Sequence, residues 1–273
     1  MSDTKTDSPL GRATDYPDRY DAALLYPMLR EASRTSLGIA HELPFTGIDR
    51  WHAWELSWLD SHGKPAVAIG RFDIPADSPY MVESKSLKLY LNSYNNERLV
   101  SLEAVRALIE TDLSAACQSG VTVELYAPDA PPPFVGTADG ESIDAQELAF
   151  DRYRPDPSTL SANGPVVDEC LRSDLLKTNC PVTLQPDWAS LMVRYRGAKI
   201  DQEGLLRYIV SFRNHADFHE HCVERIYTEL MRCCHPELLT VCAYYTRRGG
   251  LDINPWRSNF EAPGDRFIKL ARQ

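Results

Sequence analysis

The chain has 273 residues, 43% hydrophobic and 25% charged, which bounds it to one large or two modest soluble globular domains. A formal net charge of −10 and a pI near 5.2 exclude a sequence-independent grip on nucleic-acid phosphates. The cysteines, at 117, 170, 180, 222, 233, 234 and 242, are odd in number and scattered. They form no disulfide framework and read as reduced thiols of a cytoplasmic protein. The polar start, residues 1–18, carries Asp3, Asp7 and Asp15 without the apolar stretch of a signal peptide, and no later segment resembles a membrane span.

Strands are predicted over 51–59 and 66–72. Leu87, Tyr90, Leu91 and Tyr94 then follow i, i+3, i+4, i+7 spacing, the stripe of an amphipathic helix. A polar turn, Asn95-Asn96-Glu97, leads into a second helix over 101–117 and a strand over 121–126. A Pro/Asp/Gly-rich stretch follows, punctuated by Pro131-Pro132-Pro133 and Pro155-Asp156-Pro157. Beyond it the plan repeats: a strand over 188–195, a helix with Leu205, Tyr208, Ile209 and Phe212 on one face, a turn Arg213-Asn214-His215, a helix over 217–234 and a strand over 239–245. Leu87, Tyr90, Ser93 and Asn96 recur as Leu205, Tyr208, Ser211 and Asn214, each 118 residues on, and Thr122-Val123 recurs as Thr240-Val241 at the same offset. Two copies of strand, strand, helix, helix, strand and a further candidate strand predict an α+β protein. The expected division is a polar segment 1–24, a first unit 25–130, a connector 131–165 and a second unit 166–273.

Cys180 stands in Lys177-Thr178-Asn179-Cys180-Pro181, which reads as a loop, and a lysine so close would favour the thiolate. Asp187, seven residues on, is either a turn residue or a proton-transfer group folded back beside the thiol. His215, His219 and Cys222, at i, i+4, i+7, could share a helical face as a zinc site, unless Asp217 is the N-cap and leaves His215 outside. His219 and Glu220 then read as a hydrogen-bonding pair facing a pocket, or as a solvated helix start. At Glu83-Ser84-Lys85 the helix start is either capped by its own side chains or open to a phosphate through free backbone N–H groups. Arg247-Arg248-Gly249-Gly250 is a basic turn or a second phosphate clamp. No G-x-G-x-x-G or Walker loop occurs.

Glu83-Ser84-Lys85-Ser86-Leu87-Lys88, the Cys180…Asp187 pair, Phe218-His219-Glu220 and Arg248-Gly249-Gly250 follow one another in this order. Together they resemble the NADPH-dependent 7-cyano-7-deazaguanine reductases in their long, two-unit form, over about Leu25 to the C-terminus. The resemblance implies tandem tunnelling-fold (T-fold) units of β-β-α-α-β-β order, each an antiparallel sheet with helices on one face, as in GTP cyclohydrolase I. It implies that the Cys180 thiol adds to a nitrile to give a thioimide and that Asp187 supplies protons. Val82, Glu83, Ser84, His219 and Glu220 would bind substrate, and Ser84, Lys85, Arg248 and Gly249 would bind NADPH. No metal is implied. The amine product would feed queuosine synthesis, so the chain would serve transfer RNA without binding nucleic acid or membrane, as a homodimer. The rival readings are a zinc-dependent T-fold hydrolase built on residues 215–222 and a non-catalytic purine- or pterin-binding module with an inert Cys180.

Overall fold

The computed structural model describes residues 19–39, 42–128, 134–136, 138–264 and 268–273. In chain order the elements are β1 (Pro27–Leu29), α1 (Glu31–Ser36), β2 (Thr46–Leu59), β3 (Pro65–Pro75), β4 (Tyr80–Val82), α2 (Ser84–Asn92), α3 (Leu102–Cys117) and β5 (Thr122–Tyr126). There follow β6 (Phe134–Gly136), β7 (Glu141–Ser142), β8 (Ala162–Asn179), β9 (Pro186–Ile200), α4 (Gln202–Ser211), α5 (His219–Cys234), β10 (Leu238–Tyr245), β11 (Leu251–Ser258) and β12 (Ile268–Leu270). The mixture is α+β, as the sequence leads one to expect. No helix among the described residues is long and apolar enough to cross a membrane. Residues 1–18 of the expected polar segment and Pro131-Pro132-Pro133 of the connector lie outside the described residues.

Two compact units emerge, and neither is one continuous stretch. The first comprises Met1–Ala32, Arg50–Pro132 and Arg247–Asp252; the second comprises Ser33–Asp49, Pro133–Thr246 and Ile253–Gln273. In the first unit β3 pairs antiparallel with β5, setting Phe72 opposite Val123, and β1 pairs antiparallel with β4. The predicted helical stripe is real: Leu87, Tyr90, Leu91 and Tyr94 are all buried. In α3 the apolar face is Val105, Ile109, Leu113 and Cys117, the Ser101 Oγ accepts the Ala104 N–H at 3.1 Å as an N-cap, and left-handed Gln118 ends the helix.

In the second unit β8, β9, β10 and β11 pair antiparallel in sequence. The strand β8 is a correction: residues 162–165 fall in the expected connector and 177–179 in the expected loop, and no strand is predicted between them, where Asp168, Glu169, Arg172 and Asp174 crowd the sequence. A register shift between Ser173 and Leu176 breaks the two-residue alternation that would have announced it.

The duplication extends to hydrogen bonds. Ser93 Oγ and Ser211 Oγ each donate to the carbonyl three residues back, Tyr90 and Tyr208 respectively, at 2.6 Å. The two tyrosine hydroxyls donate to Asp112 and Glu229 on the following helix. The offset is not constant, however. α3 and α5 are both 16 residues long and start 117 apart, as do the left-handed residues Gln118 and His235 that end them. One residue is lost before the second helix and regained before the return strand.

Within the second unit a buried ionic cluster joins three segments. Glu224 on α5 accepts from Arg34 Nε and Nη2 at 3.1 and 2.7 Å, and from Arg257 Nε and Nη2 at 3.2 and 3.0 Å. Arg257 Nη2 also donates to Asp49 at 2.8 Å, and both guanidiniums lie near the Phe45 ring. Burial opposes the charge of Arg257, but Asp49 and Glu224 outweigh it and hold its pKa above the ordinary value. Glu224→Ala leaves two guanidiniums short of their shared partner in the interior and should cost about 3–5 kcal/mol in urea unfolding. Glu103→Ala, which removes an exposed ion pair to Arg106, should leave the urea midpoint nearly unchanged.

Candidate active site

The hairpin β8–β9 carries the first constellation. Its ladder ends at Asn179 opposite Pro186, leaving Cys180 to Gln185 as the loop. The loop is closed by Cys180 N–H to the Gln185 carbonyl at 2.9 Å and Leu184 N–H to the Cys180 carbonyl at 3.1 Å, with Leu184 in left-handed backbone. Thr178 faces Asp187 across the ladder, so both side chains share one side of the hairpin. All three groups are withdrawn from solvent: Cys180 is 5% exposed, Asp187 7% and Thr178 fully buried.

The tip is fastened to the start of α5. Asn179 N–H donates to the His215 carbonyl at 2.8 Å, and the Asn179 carbonyl accepts from Asp217 N–H at 3.1 Å. His219 opens α5, and its Nε2 lies 3.4 Å from Asp187 Oδ2. Its ring stacks on Tyr245 with centroids 3.8 Å apart. Glu220, in the same first turn, is 3% exposed, where the helix N-terminus favours an anion. A carboxyl and an imidazole thus meet beside the loop that carries the buried thiol, and Glu220 lies in the first turn of the same helix.

Three expectations change here. Lys177 belongs to strand β8, and its ammonium is anchored at 2.6 Å on Asn179 Oδ1 and 2.7 Å on the Arg213 carbonyl, so it secures the hairpin. Burial, then Arg213, lower its pKa. Phe218, not Asp217, is the N-cap residue of α5, and no side chain caps the helix. The Asp217 carboxylate accepts Phe218 N–H at 2.9 Å and lies 3.2 Å from His221 Nδ1 and 3.6 Å from His215 Nε2. His215 is therefore outside the helix and His219 turns to Asp187, so the three residues do not share one helical face. No group of three or more His, Cys, Asp or Glu among the described residues is placed to hold a metal.

The first unit carries the second constellation. Glu83 is the N-cap of α2: its carboxylate accepts Lys85 N–H at 2.7 Å and Ser86 N–H at 2.8 Å, and its own N–H bonds the Tyr26 carbonyl. The helix start is capped by a buried carboxylate that takes the Lys85 and Ser86 N–H groups. Val82 ends β4 just before it, and Ser84 Oγ lies 3.4 Å from Glu83 Oε1. Arg248-Gly249-Gly250-Leu251 is a tight turn closed by Arg248 N–H to the Leu251 carbonyl at 2.8 Å. Gly249 and Gly250 have φ of 61° and 80°, which side chains resist. A Cβ on Gly249 would lie 3.3 Å from the Lys88 methylenes. Both glycines and Lys88 border a cavity of about 280 Å³, with Glu55, Asn92 and Asn95.

Sequence reasoning passed over Tyr245, Thr178, Asn92 and Asn95. Tyr245 looked like one more strand aromatic, although burial pushes its hydroxyl far above the usual pKa beside Thr178 and Cys222. Lys88 reads as solvated face until the turn is seen beside it.

Comparison with known proteins identifies the family. Residues 16–125 match the family described as nitrile reductase, 7-cyano-7-deazaguanine-reductase N-term, and residues 186–263 match the family described as QueF-like protein. The NADPH-dependent 7-cyano-7-deazaguanine reductase of Bordetella pertussis is 54% identical over 98% of this chain and 99% of its own. Those of Xanthomonas campestris pv. campestris strain B100 and Burkholderia cenocepacia are 56% and 52% identical, over 95% and 97% of this chain and 95% and 98% of their own. The chain belongs to the NADPH-dependent 7-cyano-7-deazaguanine reductase family.

Asp217 gives a pH prediction. Burial raises its carboxyl, but His215, His221 and the Phe218 N–H pull it down further, so it lies well below the ordinary carboxylate value. Its contribution to stability is complete above about pH 4 and drains away as pH falls toward the folded-state pKa. The stability gap between the wild type and Asp217→Asn should shrink when urea unfolding at pH 5 is repeated at pH 2.5; a constant gap contradicts the assignment.

Proposed function

We propose that the chain reduces the nitrile of 7-cyano-7-deazaguanine to 7-aminomethyl-7-deazaguanine with NADPH, by way of a thioimide on Cys180. The observation that supports this chemistry is the hairpin tip, whose loop carries a buried thiol and whose second strand opens with a buried carboxyl 3.4 Å from an imidazole. A nitrile carbon accepts hydride poorly. Adding the Cys180 S–H across C≡N forms a C–S bond and puts a proton on nitrogen, leaving a more reducible C=N. NADPH, when bound, supplies a hydride to that carbon and, in a second round, to the imine.

Asp187 delivers and recovers protons at the substrate nitrogen, steadied by His219. Cys180 leaves as the C–S bond of the first reduced adduct breaks, which returns the thiol. Glu83 and Glu220 accept N–H groups of the deazaguanine, with Val82, Ser84 and His219 completing its binding. The Glu83 carboxylate keeps this capacity while capping α2, since its oxygens have more lone pairs than the two helix N–H groups use.

The residues of the first unit fit the cofactor. Ser84, Lys85, Arg248 and Gly249 would hold NADPH, because the double-glycine turn keeps its backbone bare where a Cβ would crowd Lys88. The chain acts as a cytoplasmic homodimer on the free base and not on RNA, and its product enters queuosine synthesis.

NADPH oxidation with 7-cyano-7-deazaguanine should run at two equivalents per amine formed; any other ratio removes the four-electron reading. Cys180→Ala should form no mass adduct with the nitrile, and an unchanged adduct would make Cys180 inert. Asp187→Asn should bind the base yet lose about 10²–10⁴-fold in kcat. Turnover that is lost with a chelator would favour the zinc reading instead.

A further inference from the structure

We infer that Asp252 is a positioning residue for the nicotinamide cofactor: gripped by His52 and Trp54, it fixes the double-glycine turn that walls the first unit's cavity. This deepens the reductase reading and rests on it. Asp252 is 1% exposed and His52 2%, so the pair is withdrawn from water. Asp252 Oδ1 lies 2.7 Å from His52 Nδ1, and Oδ2 accepts the Trp54 indole N–H at 2.6 Å. A carboxylate this deep is tolerable only when both oxygens are engaged, which makes the arrangement specific.

The same tryptophan also grips the turn. Trp54 N–H donates to the Gly250 carbonyl at 2.9 Å, so side chain and main chain of one residue hold Asp252 and the second glycine together. Asp252 follows the turn after a single residue, Leu251. Left alone, two glycines in left-handed backbone have the most conformational freedom to lose, and their position depends on what flanks them.

What the turn positions is a wall. Gly249 and Gly250 border the 280 Å³ cavity, the first beside Lys88 and the second with its Cβ direction 3.3 Å from Glu55. That volume takes one end of a dinucleotide and not the whole. On the wall a lysine and two asparagine amides suit phosphate, and Ser57 and the Glu55 carboxylate suit ribose hydroxyls, among four apolar side chains. Asp252 acts on this ligand only through the turn.

The test separates cofactor binding from thiol chemistry. Adduct formation on Cys180 needs only the nitrile base and is read by mass without NADPH; NADPH affinity is read by fluorescence titration and by KM. Asp252→Asn should raise the Kd and KM for NADPH about tenfold or more, with the adduct rate unchanged and kcat within about threefold. Trp54→Phe, which removes the indole donor and keeps the ring, should raise them by a smaller factor in the same direction. Unchanged NADPH affinity in both variants overturns the proposal, and so does a parallel loss of adduct formation. If Asp252→Asn does not fold, Trp54→Phe decides. A wild-type chain that forms the adduct but binds no NADPH overturns the reductase reading as well, whereas an active wild type with unaffected variants overturns this inference alone.

Discussion

At Asn179 the second unit joins sheet to helix through main-chain bonds: an N–H given to His215 and a carbonyl receiving from Asp217. These bonds do not depend on a side chain, and they set the height of the hairpin tip against the first turn of α5. Cys180 is the next residue along, Asp187 lies across the ladder from Thr178, and His219 and Glu220 begin the helix. A slip of one residue in the β8–β9 register would carry Asp187 to the opposite side of the hairpin and away from His219. Lys177 adds a side-chain tie to Asn179 and Arg213 at the same place. The placement of these side chains therefore depends on strand register.

Much of this was legible in the sequence where a period or a repeat carried it. The stripe Leu87, Tyr90, Leu91, Tyr94 and its copy 118 residues on announced α2 and α4 because helical spacing and burial go together. β8 was not legible, since an 18-residue strand with charges along it and a register shift inside it has no clean alternation. The one-residue change of offset at α3 and α5 was hidden because both flanking segments return to the same register. At the candidate site, the short motifs pointed to Cys180, Asp187, His219 and Glu220, but not to what fixes them. Local sequence says nothing of a carbonyl 36 residues away, and that is where the His215 bond to Asn179 comes from.

The buried cluster of Arg34, Glu224, Arg257 and Asp49 illustrates the same limit in energetic terms. Each residue alone reads as surface charge, because isolated ions avoid the interior. Only tertiary contact shows Arg34 and Arg257 sharing one carboxylate, with Asp49 completing the balance. Such a cluster adds little net stability over an apolar equivalent but penalises any arrangement that separates its members. It ties the segment Ser33–Asp49 to a unit whose remaining residues come much later in the chain.

Glu83 has a consequence of a different kind. Its carboxylate already closes the first turn of α2 through Lys85 and Ser86. A base that docks on the same oxygens would share them with the helix backbone, so occupancy and fraying of that turn become linked equilibria. Such docking would slow amide exchange at Lys85 and Ser86, and a loosened turn would weaken the ligand by the same free energy.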